Sequence, residues 1–236
     1  MTDIKLFDDT LMRKFKLTHA FLAMTIAASL GSCSSHKVTS EKDFTPLFNG
    51  KNLDGWVGNK TAYQAQDGMI VIDPKGTGGG NLLTEKEYGD FILKFEFQLT
   101  PGANNGLGIH APLEGDAAYV GKEIQILDND ADKYKDLQVY QYHGSLYGVM
   151  AAKRGFQKPV GEWNVEEVIV KHPKITVILN GETILEGDYL EASKNGTLDG
   201  KEHPGLQRSS GHIGFLGHGD VVRFRNIKIK ELTSTH

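Results

Sequence analysis

In this 236-residue chain, the run Glu123-Ile-Gln-Ile-Leu127 has the residue types and spacing that bear most directly on chemistry. Alternate side chains of an extended strand point to opposite faces. Ile124 and Ile126 therefore go to a core, while Glu123 and Gln125 stand side by side on the other face. A carboxylate beside an amide can hold a polar ligand or move a proton; the plain alternative is a solvated face. Asp128 lies at odd spacing from Glu123 and points the other way in a regular strand. The two acids that usually flank a glycosidic bond are thus not supplied by this strand, and the spacing Glu-x-Asp-x-x-Glu is missing. The run Gly102–His110 is expected to place Gly106, Gly108 and His110 on one face, with two glycines clearing room beside an imidazole. Further histidines at His143, His212 and His218 show no helical i, i+4 ligand pairing, so spacing alone does not support a zinc site. Lys153-Arg154 and the pair Arg223 and Arg225 could grip anionic or hydroxyl groups, although solvated surface is the default for each. Gly76–Gly80 is followed by no Lys-Ser/Thr and is no phosphate loop.

These residues need strands to position them. In Phe91–Leu99, Phe91, Leu93, Phe95, Phe97 and Leu99 share one parity while Lys94, Glu96 and Gln98 share the other, the pattern of an antiparallel strand with one wet face. Shorter runs recur at Met69–Ile72, Leu107–Ile109, Glu123–Leu127, Val165–Val170, Ile175–Leu179, His212–Leu216 and Val221–Ile229. Asn180-Gly181 predicts a hairpin turn, because both residues tolerate positive φ. The apolar parity changes between Phe224 and Ile227, which predicts a bulge near Asn226. Thr84–Tyr88 is a weak candidate for a helical turn. Many short strands joined by glycine-rich turns predict an all-β sandwich or jelly roll of two antiparallel sheets, one domain over 44–236. Glycine is 28 of the residues and proline only 7, an excess that marks turns rather than disorder. A formal charge of −4 gives no bulk attraction to nucleic acid, which excludes a histone-like or sliding function. A single cysteine excludes an internal disulfide and a cysteine-rich metal site.

That cysteine ends an unusual N-terminal stretch. Arg13, Lys14 and Lys16 precede the mostly apolar run Leu17–Leu30, which is too short for a comfortable membrane span and fits a signal-peptide core. Leu30-Gly31-Ser32-Cys33 looks like a bacterial lipobox, so 1–33 reads as a lipoprotein signal with Cys33 as the lipidated residue and 34–43 as a polar tether. The expected location is the cell envelope, lipid-anchored in the outer membrane and facing the periplasm.

Several motifs, taken in order, carry a family resemblance over about Phe44–Leu232. They are Leu47–Trp56, Gly80–Thr84 leading to Gly89–Phe91, Asn104–Gly106, Gly121–Asp128, Gly144–Gly148, Gly161–Asn164, Asn180-Gly181, and Gly211–Gly219 leading to Arg223–Ile227. The chain thereby resembles the 3-keto-disaccharide hydrolase family, with His110 where many members carry Arg. The resemblance implies a concanavalin-like jelly roll and a carbohydrate substrate oxidised to a ketone at C3. Such a ketone acidifies the C2 proton, so one base can form an enolate and expel the C1 substituent; water then adds back. On that reading Glu123 or His110 is the base. His143 and His218 donate to the leaving oxygen or hold a divalent metal ion. Asn105, Gln125, Tyr147, Lys153, His218 and Arg223 contact the substrate. A non-catalytic carbohydrate-binding lipoprotein is the alternative, and a scaffold lipoprotein a third reading. Trp56 and Trp163 are expected to face the core, which disfavours a binding module that stacks sugars on tryptophan.

Overall fold

A computed structural model describes residues 41–72 and 79–233. Residues 1–33, expected to be a lipoprotein signal, the expected tether up to residue 40, and Gly76–Gly78 of the glycine run lie outside the described residues. The first strands are β1 (Thr45–Pro46), β2 (Trp56–Gly58), β3 (Tyr63–Gln66), β4 (Met69–Ile72) and β5 (Gly80–Thr84). They are followed by β6 (Phe91–Leu99), β7 (Asn104–Ala111), the short helix α1 (Ala117–Val120) and β8 (Lys122–Leu127). The chain then runs through β9 (Trp163–Lys171), β10 (Lys174–Leu179), β11 (Glu182–Asp188), helix α2 (Tyr189–Ser193), β12 (His212–Gly217) and β13 (Val222–Glu231).

Two antiparallel sheets result. The first runs β11-β10-β9-β6-β13-β4-β3, with β1 also paired to β13; the second runs β2-β5-β12-β7-β8. This is the expected sandwich. The odd-parity face of β6 is buried as its pattern requires, and Phe95 meets Phe97, Phe215 and Phe224 with centroids 5.9–6.3 Å apart, closing the core between the sheets. Asn180 and Gly181 both take positive φ in the β10–β11 turn, and Asn226 does so where the β13–β6 register shifts, as expected for the bulge. Thr84–Tyr88 is not helical: Thr84 ends β5, its hydroxyl donates to the Lys86 carbonyl, and Tyr88 bridges Gly211. Trp56 is buried, but Trp163 lies on the outer face of the first sheet under the Arg225 guanidinium, 3.9 Å from the ring centroid.

Parity fails at one chemically important point. His110 has φ +49°, and the register of β7 against β12 slips there, so its imidazole leaves the face of Gly106 and Gly108. It is fully buried, edge-on to Phe91, with Nδ1 3.0 Å from the Arg208 carbonyl and Nε2 2.9 Å from the Gly89 carbonyl. Burial, helped by the Lys122 ammonium, pushes its pKa down to about 4. At neutral pH the ring therefore donates to only one of those carbonyls. Lys122 is itself buried, donates to the Gly205 and Arg208 carbonyls, and is pushed down to about 7 by the same desolvation. His110 thus locks the 205–208 turn to the sandwich and is no base for a ligand.

The sign of the linkage follows. Between the ordinary value of 6.5 and about 4, the unfolded chain binds a proton that the folded His110 refuses. Stability contributed by neutral His110 is complete above that window and falls as pH drops through it, by up to about 1.4 kcal/mol per pH unit. Urea midpoints of wild type and His110→Asn at pH 7.5, 5.5 and 4.5 should converge on acidification; parallel curves would contradict the buried neutral imidazole.

Candidate active site

The inner face of β8 carries Lys122, Ile124 and Ile126, and its outer face carries Glu123 and Gln125. Opposite, β7 supplies almost no side chains: Gly106 is in register with Gln125 and Gly108 with Glu123. A Cβ at Gly106 would land on Glu123 Oε1, so only glycine leaves the carboxylate its seat. A Cβ at Gly108 would meet Leu216, part of a small apolar cluster with Leu83, Ala111 and Ala117 that walls this face. β8 is the last strand of its sheet, yet its outer edge is not free. Gln125 N donates to the Ser145 carbonyl, Gly144 N to Gln125 O, and Tyr147 N to Glu123 O, at 2.8–3.0 Å. This pairing carries Tyr147 to the cleft and covers an otherwise exposed edge.

The resulting cavity encloses about 220 Å³. Its walls include Asn104, Asp116, Tyr119, Tyr134, Gln141, Tyr147 and His218 around Glu123 and Gln125. Glu123 is only 5% exposed, and its Oε1 has no hydrogen-bond partner among the described residues. An unpartnered buried carboxylate oxygen is costly, and its cost is offset when a ligand supplies the donor. His218, whose side chain is 49% exposed, approaches Oε1 with Nε2 at 3.8 Å. The adjacent carboxylate holds the imidazole pKa above its ordinary value, against some desolvation. The His218 turn is tied to the floor by Asp220, which accepts from Asn104 N at 3.0 Å, and by Thr100, which donates to the Val221 carbonyl. Gln125 donates to Asn104 Oδ1 at 2.7 Å, and Gln141 to the Tyr147 hydroxyl at 3.4 Å. Burial raises the Tyr147 hydroxyl above its ordinary pKa, keeping it a neutral donor.

Of the residues expected at the site, Glu123, Gln125, Tyr147 and His218 are brought together; the others are placed elsewhere. His110 is sequestered as described above. His143 points between the sheets, tilted on Phe97, with Nε2 3.1 Å from Glu166 Oε2 and both side chains almost wholly buried. Their contact lies off hydrogen-bonding alignment. Asn105 turns inward, its amide reaching Tyr63 Oη at 3.4 Å, because the parity that exposes Gly106 exposes Asn104 and hides Asn105. Lys153 docks on β11, its backbone N donating to Ile184 O and its ammonium 3.4 Å from Thr183 O. Arg223 belongs to the first sheet, where it donates to Gln98. Asn104 was legible from the parity of Gly106 and Gly108. Asp116, Tyr119, Tyr134 and Gln141 arrive on loops and short turns, which leave no periodic trace.

For a divalent metal the cleft walls carry three side chains of the usual donor kinds, Glu123, His218 and Asp116, and the Asp116 carboxylate is already taken up in capping α1 at Ala118 N. Among the described residues no group of three His, Cys, Asp or Glu comes together. The donor set does not fit a resident metal, and no step is derived through one. Two larger hollows of about 520 and 430 Å³ lie elsewhere. In the larger, on the outer face of the first sheet, Lys94 pairs with Glu41 and Glu167, and Lys228 with Glu41, which leaves no comparable unpartnered group.

The geometry agrees with what the chain is similar to. A 3-keto-disaccharide hydrolase of Bacteroides thetaiotaomicron is 28% identical over 227 residues, spanning 80% of this chain and 78% of that protein. A candidate glycosyl hydrolase of Parabacteroides distasonis, 31% identical, superposes with TM-score 0.70 over 80% of this chain and 99% of its own. Another from the same organism, 27% identical, also gives TM-score 0.70, over 83% and 99%. The profile of the 3-keto-alpha-glucoside-1,2-lyase-like domain matches residues 43–230, which takes in both sheets and the whole cleft, and the chain belongs to that family.

Proposed function

We propose that the cleft takes a glycoside whose sugar ring is oxidised at C3, and that Glu123 is the base that removes the C2 proton. The observation that carries this is the buried, unpartnered Glu123 Oε1 on a glycine floor beside a half-exposed His218. The C–H electrons move into the C2–C3 bond and the C3 oxygen becomes an enolate. Donors around the cavity, Gln125, Tyr147 and Tyr119, are of the right kind to take up its charge. Collapse of the enolate breaks the C1–O bond, and the leaving oxygen takes a proton from the His218 imidazolium. Because Glu123 and His218 sit side by side, base and acid work on one face of the ring, which suits loss of vicinal groups from the same side. Water then adds to C1, the Glu123 carboxyl returns its proton to C2, and the water's surplus proton goes back to His218. The net change is hydrolysis with both groups restored.

One base suffices here because the ketone, not a second carboxylate, stabilises the transition state. That accounts for a site in which the other acid of the walls, Asp116, is taken up in capping α1. Glu123→Gln is nearly isosteric and should lower turnover of a 3-keto-disaccharide by about 10²–10⁴-fold with little change in thermal stability. Near-normal turnover would remove Glu123 from the role of base. Wild type that binds oxidised and unoxidised disaccharide alike, with no turnover of either, would favour a binding module.

His218 supplies the pH signature. Its imidazolium is held by Glu123, so the acid form persists above the ordinary histidine range. Activity should fall on the alkaline side of that raised value. In His218→Asn the alkaline limb should disappear along with about 10²-fold or more of the rate. A limb that survives the substitution would belong to another group.

For location, we propose lipid anchoring through Cys33 in the cell envelope, facing the periplasm. Support comes from the basic cluster, the short apolar run and the Leu30–Cys33 motif. Cys33→Ser should abolish incorporation of labelled fatty acid and release the protein from the membrane fraction. Unchanged retention would count against the anchor.

A further inference from the structure

The cleft, about 220 Å³ and open on one side, falls below the roughly 300–1,000 Å³ of sites that engulf a whole drug-sized ligand. It can close around one sugar ring, so the unit on the other side of a glycosidic bond must lie across the rim. One stretch of that rim is built of rings. Tyr119 and Tyr147 line the cavity, and they meet edge to face with centroids 6.5 Å apart at 89°. Tyr140 continues the series outward, 5.9 Å from Tyr147 at 87°. All three are half-buried rather than packed away.

Tyr119 is held from behind and Tyr140 by the turn that carries it. Tyr119 rests on the buried His203 imidazole at 4.8 Å, and Lys201 donates to its hydroxyl at 2.9 Å. His203 in turn contacts the Asp199 carboxylate at 3.1 Å. Tyr140 sits in the 3-10 turn Val139–Gln141, where Gln138 N donates to Gln141 Oε1 and Gln141 N to the Gln138 carbonyl. Next to it Val139 is 62% exposed, which extends an apolar surface away from the polar floor.

Preorganised rings are suited to the flat C–H face of a pyranose or to an aryl group, and edge-to-face contacts between them fix their planes before a ligand arrives. Resting on the reading of the cleft as the seat of the oxidised ring, we propose that Tyr119, Tyr147 and Tyr140 form the subsite for the leaving-group unit, a second pyranose or an aryl aglycone, with Tyr140 as its outermost contact.

The test reads binding and turnover separately. In a Glu123→Gln background, where ligand is not consumed, calorimetric titration compares a 3-keto-disaccharide, an aryl 3-keto-glycoside and the free 3-keto-monosaccharide. Adding Tyr140→Ala should weaken one or both of the two-unit ligands by about 2- to 10-fold relative to the monosaccharide, and Tyr140→Trp should restore the ratio. A loss confined to the disaccharide identifies a pyranose occupant, and one confined to the aryl glycoside an aryl occupant. An unchanged ratio overturns the subsite whether or not the wild type turns over. If the ratio falls but wild type with Glu123 intact cleaves none of these compounds, the subsite stands and the proposed reaction falls. No measurable binding of any of the three overturns both.

Discussion

The hydrogen bonds that fasten residues 144–147 along the outer edge of β8 are the constraint on which the site depends. Without them β8 would be an open edge, and its two polar side chains would project from a strand free to fray or to pair with another chain. With them, the strand that carries Glu123 and Gln125 is held on both sides, by Gly106 and Gly108 of β7 and by the returning segment. The same segment brings Tyr147 to one wall. It is pinned from beneath, since His143 dips into the core against Phe97 and Glu166 while its backbone N donates to Asn129. A histidine that looked like a chemical group is therefore an anchor for the wall.

Charge is distributed between core and cleft in a related way. Buried ionisable groups away from the cleft, His110 and Lys122, face main-chain carbonyls and are pushed toward their neutral forms by desolvation. In the cleft, by contrast, Glu123 Oε1 is buried without a hydrogen bond, and the same carboxylate pushes the neighbouring His218 toward its charged form. The first arrangement serves stability. The second leaves a carboxylate and an imidazole side by side where a ligand can reach them.

Period-two alternation made the sandwich legible, and it put Glu123 and Gln125 on the correct face before any coordinates. It could not reveal where the alternation breaks. His110 shares parity with Gly106 and Gly108 in the sequence, but a single positive φ turns it into the interior. The family motif points to Asn105, while the parity of Gly106 and Gly108 points to Asn104, and the structure follows parity. Arg223 and Lys153 are sound ligand-binding types that the topology assigns to the first sheet and to its neighbouring loop. Tyr147 was legible from its motif, whereas Tyr119 and Tyr140 left no signal in the sequence. Tyr119 and Tyr140 reach the cleft on a four-residue helix and a 3-10 turn, elements too short to impose a period on the sequence.

Gly106 separates two kinds of selection. Its backbone is not among the positive-φ glycines, and what a methyl group would strike is the far end of a side chain that can swing away. A small side chain could therefore occupy this buried position if Glu123 swings aside, while none but glycine leaves Glu123 where it is. A population of variants sorted only for solubility would let this codon drift to alanine or serine, and such members would keep the sandwich with the carboxylate displaced. Among related chains the identity of this one residue, which has no side chain of its own, tells whether the carboxylate across from it still has its seat.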